Sequence, residues 1–236
     1  MDNRLEIIDI NKKYGNLKAL TNINIELENG IYAFIGTNGA GKTTLLKIIT
    51  TNLKATSGEV LYNGKDIFKM GKNYRTLLGY MPQNKGYYED FTGQEYLYYI
   101  AGLKSVRNKK VLVKEMLERF NLTDAKNRKI VNYSGGMKQR IVLAQVLLND
   151  PKIIILDEPT VGLDPIEREN FKNYLKEIAK DKIIIYCTHI ISDIYNIADK
   201  VFVMKKGSVV KEYDRLDIDE YATDLISFEK NVFENL

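Results

Sequence analysis

The pattern of apolar and polar positions predicts two kinds of β-strand in this chain. Apolar and polar residues alternate in LEIIDI and NINIEL within residues 1–30, and again in SGEVLYNGKDI at 57–67. Such alternation is typical of strands with one buried face, and Asn63-Gly64 is a strong signal for a tight turn. These segments therefore predict an antiparallel β layer.

Four other segments are continuously apolar and β-branched, as in strands buried on both faces of a parallel sheet. They are IYAFI (31–35), IIIL (153–156), IIIYC (183–187) and VFVM (201–204). Helices should cover such a sheet, and two apolar helical faces are found beside these segments. Their members are Leu45, Ile48, Ile49 and Leu53 after the first segment, and Phe171, Tyr174, Leu175 and Ile178 before the third. Strands that alternate with helices predict a doubly wound α/β fold.

The pattern changes between Gln83 and Ser134. Thr92 to Glu95 is typical of a capping box ahead of the apolar YLYYI, and Val113, Met116, Leu117 and Phe120 form a further helical stripe. This predicts a helical lobe inserted into the α/β core. The chain then divides into a core at 1–82 and 135–210, a helical subdomain at 83–134, and an acidic C-terminal tail at 211–236 to which the pattern assigns no role.

Composition narrows the class of protein. The chain has 236 residues, 44% of them hydrophobic, which suits one domain with a sizeable core. Its apolar runs are far shorter than the roughly 18 to 20 residues that span a bilayer, and its first residues lack the apolar core of a signal peptide. We therefore expect a cytoplasmic protein. The single cysteine, Cys187, is expected to be a small buried hydrophobe.

The net charge of +4 is unevenly distributed. Residues 211–236 hold eight Asp or Glu against three Lys or Arg, which leaves +9 on residues 1–210. A basic body of this kind suits nucleotide phosphates, anionic lipid or nucleic acid as partners. Because no run of lysines is interleaved with aromatic residues, nucleic acid is not favoured.

The stretch GTNGAGKT at 36–43 fits the phosphate-loop pattern G-x-x-x-x-G-K-[ST], and it follows a predicted buried strand and precedes a predicted helix. Its glycines let backbone N–H groups turn toward phosphates, and the following helix adds its positive N-terminal end. Lys42 supplies a fixed charge and Thr43 a hydroxyl for Mg²⁺. The predicted nucleotide-binding residues here are Gly36, Thr37, Asn38, Gly39, Ala40, Gly41, Lys42, Thr43 and Thr44.

Asp157 and Glu158 follow directly on the strand IIIL. Burying two adjacent carboxylates costs several kcal/mol unless a cation is near. We interpret Asp157 as the acid that holds Mg²⁺ through its water shell, and Glu158 as the base that polarises the attacking water. The alternative is that DEPT simply begins a turn or caps a helix.

His189 is the single histidine of the chain and follows the strand IIIYC. A lone histidine is usually a structural residue. However, ligands of parallel sheets gather at the carboxyl ends of the strands, where Lys42, Glu158 and His189 would all lie. We therefore expect His189 to contact a γ-phosphate or the attacking water.

Five motifs in this order resemble the ATP-binding subunit of ABC transporters: GTNGAGKTT, MPQ at 81–83, YSGGMKQR at 133–140, IIILDEPTVGLD at 153–164 and CTHI at 187–190. The resemblance runs from Tyr14 to about Gly207 and implies a P-loop NTPase fold of ABC type with ATP and Mg²⁺ as cofactors. It also implies that Tyr14 stacks on adenine, that Gln83 contacts Mg²⁺ and the attacking water, and that Asp164 crosses a dimer seam. Thr43, Gln83 and Asp157 are then the expected metal ligands.

In that family the serine and glycines of YSGGMKQR close on the γ-phosphate of ATP held by the other subunit. Here these residues are Ser134, Gly135 and Gly136, and they precede the helix MKQRIVLAQVLL, in which Met137, Ile141, Ala144 and Leu148 form a buried stripe. Read without the resemblance, this is a well-capped helix whose positive end is free for an anion.

Three positions depart from the family pattern. Tyr133 and Met137 stand where Leu and Gln are usual, and Val161 stands where a small residue is usual. Every catalytic position is intact, so the resemblance implies two active sites in a homodimer. A heterodimer with a paralogous cassette stays open.

The leading hypothesis is a transport ATPase at the cytoplasmic face of the membrane, bound there through separate integral membrane subunits. These would dock beside Gln83 and the tyrosine-rich YYEDFTGQEYLYYI at 87–100. The motifs resemble exporter cassettes more than importers, some of which carry an extra regulatory β domain. The alternatives are a soluble ABC ATPase acting on nucleic acid or ribosomes, which typically carries coiled-coil or zinc insertions, and a scaffold that does not hydrolyse ATP, which would lack Glu158 or His189.

Overall fold

The computed structural model describes residues 3–83, 86–104, 106–221 and 224–236. Within these ranges the chain forms ten strands and ten α-helices. The strands are β1 (Leu5–Tyr14), β2 (Leu17–Leu27), β3 (Gly30–Ile35), β4 (Ser57–Tyr62), β5 (Lys65–Asp66), β6 (Leu78–Met81), β7 (Ile153–Asp157), β8 (Ile183–Thr188), β9 (Lys200–Lys205) and β10 (Ser208–Asp214). The helices are α1 (Lys42–Ile49), α2 (Ile67–Met70), α3 (Lys72–Arg75), α4 (Gly93–Leu103), α5 (Lys109–Arg119), α6 (Gly135–Leu147), α7 (Pro165–Ile178), α8 (Ile191–Ile194), α9 (Arg215–Asp219) and α10 (Leu225–Glu234).

A six-stranded sheet in the order β10-β9-β3-β8-β7-β6 forms the centre of the molecule. The pairs from β9 to β6 are parallel, and β10 adds an antiparallel edge to β9. The four continuously apolar segments are β3, β7, β8 and β9, so the predicted α/β fold with a mostly parallel sheet is confirmed. Successive residues point to opposite faces: Ile154 packs with α6 and the helical lobe, whereas Ile155 packs with α1 and the second sheet.

The second sheet is antiparallel, in the order β2-β1-β4-β5, as the alternating segments predicted. Asn63 and Gly64 connect β4 to β5 with φ angles of 48° and 73°. Positive φ at both positions is what the two-residue hairpin turn requires.

Helix α1 is shorter than its apolar pattern predicts. Leu45, Ile48 and Ile49 are buried, but the helix ends at Ile49, so the placement of Leu53 on the same helical face was wrong. The hydroxyl of Thr50 donates to Leu46 O (2.8 Å) and Thr51 adopts φ 60°, which turns the chain out of the helix. Leu53 still packs, half-buried, against the same core.

Helix α6 is buried more completely than the predicted stripe. All four residues from Ile141 to Ala144 are at most 2% exposed. The reason is its central position, since α6 contacts β6 together with α4 and α5 of the helical lobe.

The helical lobe begins with the predicted capping box. Thr92 N donates to Glu95 Oε2 (2.9 Å), and Glu95 N donates to Thr92 Oγ1 (3.2 Å), which starts α4 at Gly93. Val113, Met116 and Leu117 are the buried residues of α5, and Phe120 caps its C-terminus.

The C-terminal segment, as far as residues 211–221 and 224–236 describe it, contributes side chains to the core. Residues 211–214 are the second half of β10, so the boundary set at 211 falls inside a strand. Phe228 and Val232 of α10 are fully buried, and the rings of Tyr195, Tyr213 and Tyr221 lie 5.4–5.6 Å from that of Phe228. Of the helices in the described ranges, none combines the length and apolar character needed to cross a bilayer.

Tyr133, which stands where the family usually has Leu, packs against the start of α4. It is 5% exposed, and its hydroxyl donates to Ala125 O (2.9 Å). A Cβ on Gly93 would overlap this hydroxyl and lie 3.1 Å from Tyr133 Cζ. The larger side chain at 133 is therefore accommodated by the missing side chain at 93.

We predict that Gly93→Ala lowers the free energy of unfolding by about 1–3 kcal/mol, the usual cost of overpacking a tight core. The loss should shrink when Tyr133 is replaced by Leu, since the clashing ring is then absent. Urea denaturation followed by circular dichroism measures both effects. The matched control is Gly102→Ala on the same helix, where the new Cβ would meet only Lys109 Nζ at 3.8 Å among the described atoms. An equal loss for Gly93→Ala in both backgrounds would contradict the prediction.

Candidate functional site

The loop between β3 and α1 has the shape of a phosphate cradle. Gly39 and Gly41 have φ angles of 84° and 107°, which residues with a side chain rarely adopt. A Cβ on Gly36 would lie 2.5 Å from Met204 O, so the loop also presses against β9. Lys42 is the first residue of α1, and its ammonium donates back to the loop carbonyls of Gly36 and Thr37. The loop thus presents backbone N–H groups, a helix N-terminus and one fixed cation to the same space.

A cleft of about 580 Å³ opens beside this loop. It brings together many of the predicted site residues, namely Tyr14, the loop residues 37–44, Gln83, Asp157 and Glu158. Lys18 and Lys206 also line it, and the motifs did not point to either. Lys206 follows the buried strand β9, whose carboxyl end lies at the same sheet edge as that of β3, and this position was the available signal.

The carboxylate of Asp157 makes this cleft suitable for a divalent cation. Asp157 is 6% exposed at the end of β7. Burial raises the pKa of its carboxyl, the adjacent charge of Glu158 raises it further, and Lys42 offsets part of that rise. A carboxylate together with the Thr43 hydroxyl and the Gln83 amide forms a hard oxygen donor set, which suits Mg²⁺. Within the described residues no group of three or more His, Cys, Asp or Glu converges on a metal site, and Mg²⁺ in such sites is held largely by water and phosphate.

Two side chains orient the carboxylate of Glu158: Thr188, the last residue of β8, and His189, which follows that strand. His189 Nδ1 lies 2.7 Å from Glu158 Oε1, and Thr188 Oγ1 donates to Glu158 Oε2 (3.2 Å). Glu158 itself has φ 53°, a left-handed backbone conformation that costs energy in a residue with a side chain. Its side chain is 13% exposed and that of His189 is 68% exposed. His189 is therefore an exposed side chain that contacts Glu158 of the cleft, which argues against a purely structural histidine.

The alternative that DEPT caps a helix does not fit the structure, although a turn does follow Glu158 at residues 159–162. Asp164 is the residue that caps α7, with Oδ1 accepting from Glu167 N (2.8 Å). Asp157 belongs to β7, and Glu158 N donates to Cys187 O across to β8 (2.9 Å). Both carboxylates are therefore held by the sheet. Cys187 is buried in β8, as expected.

The remaining predicted residues form a separate group. Ser134 caps α6, with Oγ accepting from Met137 N (3.2 Å), and both Ser134 and Gly135 are exposed. A Cβ on Gly136 would lie 3.4 Å from Gly162 O, so this end of α6 adjoins the loop that carries Asp164. Among the described residues, the lining of the cleft includes none of Ser134, Gly135, Gly136 and Asp164, nor His189, which meets it through Glu158. One chain thus carries a phosphate cradle and, apart from it, an exposed helix N-terminus whose partial positive charge can attract an anion.

Comparisons with known proteins agree with this geometry. The sequence model of the ABC transporter family matches residues 20–161. The chain is 34% identical over 215 residues to the bacitracin transport ATP-binding protein BcrA of Bacillus licheniformis, covering 90% of this chain and 70% of that protein. It is 31% identical over 231 residues to the lantibiotic transport ATP-binding protein SrtF of Streptococcus pyogenes, covering 96% and 99%.

Solved structures give the same result. The ATP-binding subunit of an ABC transporter superposes with a TM-score of 0.87 at 25% identity, covering 98% of each chain. A bacterial ABC transporter cassette solved as a dimer superposes with a TM-score of 0.80 at 27% identity, covering 89% of this chain and 98% of the other.

We predict that Asp157→Asn stabilises the nucleotide-free protein by about 1–2 kcal/mol, because the amide removes a poorly compensated buried charge. The same change should abolish the extra thermal stabilisation that MgATP gives over ATP with EDTA. Differential scanning fluorimetry measures both quantities. The control Asp90→Asn changes a carboxylate whose side chain is 95% exposed, and it should leave stability within about 0.5 kcal/mol. A Mg²⁺-dependent gain that persists in Asp157→Asn would exclude this residue from the metal site.

Proposed function

This chain belongs to the ABC transporter family of ATP-hydrolysing cassettes, and we propose that two copies of it enclose two MgATP, each held between the P-loop of one copy and the Ser134 helix of the other. The proposal rests on one observation: within a single chain, the P-loop cleft and the N-terminus of α6 are separate sites. Among the described residues, the lining of the cleft beside the P-loop includes none from α6, while Ser134 and Gly135 at the N-terminus of α6 are exposed, where a helix leaves N–H groups without intrahelical partners. The dimeric cassette among the solved relatives supports this arrangement.

Each group in the cleft then has a defined task. Lys42 and the loop N–H groups bind the phosphates, and Thr43, Gln83 and Asp157 hold Mg²⁺. Tyr14, whose side chain is about half exposed at the rim of the cleft, stacks on the adenine. Bound MgATP supplies the reactive phosphoryl group. Glu158 accepts the proton of the attacking water, and His189 and Thr188 fix the orientation of its carboxylate.

We further propose that this ATPase drives export through separate membrane subunits at the cytoplasmic face. BcrA and SrtF are named for bacitracin and lantibiotic transport. Beyond Gln83 an aromatic cluster of Tyr88, Phe91 and Tyr99 has ring centroids 5.2–5.6 Å apart, and the two tyrosines are 52% and 40% exposed. Such a surface fits a protein partner.

We predict that Glu158→Gln forms a dimer with MgATP but remains a monomer with ADP, because the variant binds ATP without hydrolysing it. Light scattering after size-exclusion chromatography measures the mass. Adding Lys42→Met or Gly135→Asp to Glu158→Gln should abolish the dimer. A Cβ at Gly135 would have no described neighbour within 4 Å, so the expected effect of Gly135→Asp is repulsion between the new carboxylate and phosphate.

A mixture of these two double variants provides the decisive comparison. Since each site takes its P-loop from one copy and its α6 end from the other, a mixed pair keeps one intact site. Dimers should therefore reappear in the mixture, at higher protein concentration than for Glu158→Gln alone. A monomeric Glu158→Gln in saturating MgATP, alone and with its membrane subunits, would overturn the proposed dimer, and failure of the mixture alone would overturn the shared sites.

We also predict that Thr188→Val lowers the turnover number about tenfold with little change in KM, because one oxygen of the Glu158 carboxylate loses its donor and the base is no longer held in place. Thr188→Ser keeps the hydroxyl and should retain most of the activity. Phosphate release measured against ATP concentration separates the two parameters. Equal loss in both variants would mean that packing at this buried position, and not the hydroxyl, is what matters.

A further inference from the structure

Two side chains of opposite charge lie behind the N-terminus of α6. Glu167 belongs to the first turn of α7, and Arg140 belongs to the second turn of α6. Arg140 Nε and Glu167 Oε1 are 3.2 Å apart, and the two side chains are 21% and 25% exposed. The pair is therefore largely removed from water, where charges interact more strongly than on the surface.

Glu167 lies directly against the glycines of this helix end. A Cβ built on Gly136 would be 2.8 Å from Glu167 Oε2, so the carboxylate touches the first turn of α6. Its position is fixed, because Glu167 Oε2 accepts from Asp164 N (3.4 Å) while Glu167 N donates to Asp164 Oδ1 (2.8 Å). The capping box of α7 thus holds a negative charge beside the exposed N–H groups of α6.

Arg140 is held by a third element. Its Nη1 donates to Phe120 O and Asn121 O, both at 3.2 Å, at the C-terminal end of α5. The guanidinium therefore stays beside Glu167 through contacts that do not depend on Glu167. This arrangement keeps the positive group in place whether or not an anion is bound at the helix end.

A helix N-terminus attracts anions through its partial positive charge, and a nearby fixed carboxylate opposes that attraction. We propose that Arg140 cancels the charge of Glu167 and thereby sets the affinity of the α6 N-terminus for the phosphate of a nucleotide bound by the partner copy. Arg140 is a positioning residue in this sense, since it acts through Glu167 and not by touching the nucleotide. The inference rests on the proposed dimer.

The test compares three variants in the Glu158→Gln background with MgATP. Arg140→Gln leaves Glu167 uncompensated and should weaken the dimer about tenfold. Arg140→Gln with Glu167→Gln removes both charges and should recover the affinity to within about threefold. Glu167→Gln alone should equal or exceed the parent, because Gln preserves the capping box. Sedimentation equilibrium gives the dimer dissociation constants.

The recovery separates charge from structure. The hydrogen bonds of Arg140 to Phe120 and Asn121 are lost in the single and the double variant alike, so a purely structural role would leave both equally impaired. The defect of Arg140→Gln should also shrink at high salt, which screens the repulsion. Lys114→Gln is the matched control, since it removes one cation from an exposed ion pair on α5 (Lys114 Nζ to Glu118 Oε1, 3.6 Å), and it should leave the dimer unchanged.

Each outcome has a definite reading. A double variant as weak as Arg140→Gln, or an Arg140→Gln dimer as tight as the parent, overturns the inference and leaves the proposed function standing. A Glu158→Gln parent that stays monomeric overturns the proposed function and this inference with it. Binding of a fluorescent ATP analogue to the monomers should be equal in all variants; a loss in Arg140→Gln would mean that the change has reached the P-loop and would count against the proposal.

Discussion

The parallel register of the central sheet is the constraint on which the site depends. Ile35 pairs with Thr188, and Asp157 pairs with Cys187, so β3, β7 and β8 end within one residue of the same level. The residues at the carboxyl ends of these strands therefore lie at one edge of the sheet, and no long loop is needed to bring them there. A positive charge on Lys42 and the carboxylates of Asp157 and Glu158 meet there. Because burial raises the pKa of the Asp157 carboxyl, a cation beside it would stabilise the charged form.

The second half of the site depends on how α6 is anchored. Gln139 is fully buried and donates to Pro159 O, in the segment that leaves β7 after Asp157 and Glu158. Arg140 ties the next position of the same helix to α5 and α7. These contacts anchor α6 to the sheet and to two neighbouring helices, while Ser134 and Gly135 at its N-terminus remain exposed. A helix end held in this way suits a ligand that is presented by another molecule.

The sequence predicted the sheet and the cleft well because each rests on local pattern. Long β-branched runs specify buried strands, and the phosphate loop needs its glycines in one contiguous stretch. Lys206 was overlooked although it directly follows a buried strand. Lys18 escaped prediction because tertiary pairing brings its strand to the cleft: Thr21 N donates to Gly207 O (2.8 Å) and Gly207 N donates to Ala40 O (2.9 Å). Thr188 and Glu167 were missed for the same reason, since their roles lie in partners distant along the chain. Leu53 was misplaced because periodicity does not reveal where Thr50 ends the helix.

Within YSGGMKQR, the two residues that depart from the family pattern have side chains that pack inward. Tyr133 is buried and Met137 packs half-buried against the core, so the choice of side chain at these positions depends on interior packing. Ser134 and Gly135 face outward, where a phosphate would meet them. An interior position can hold a larger side chain where a neighbour leaves room, as Gly93 does for Tyr133. Outward positions are constrained instead by the size and charge of a ligand. Nothing in the structure explains Val161. The motif therefore contains two sets of residues: buried ones that pack within the fold, and exposed ones available to a nucleotide.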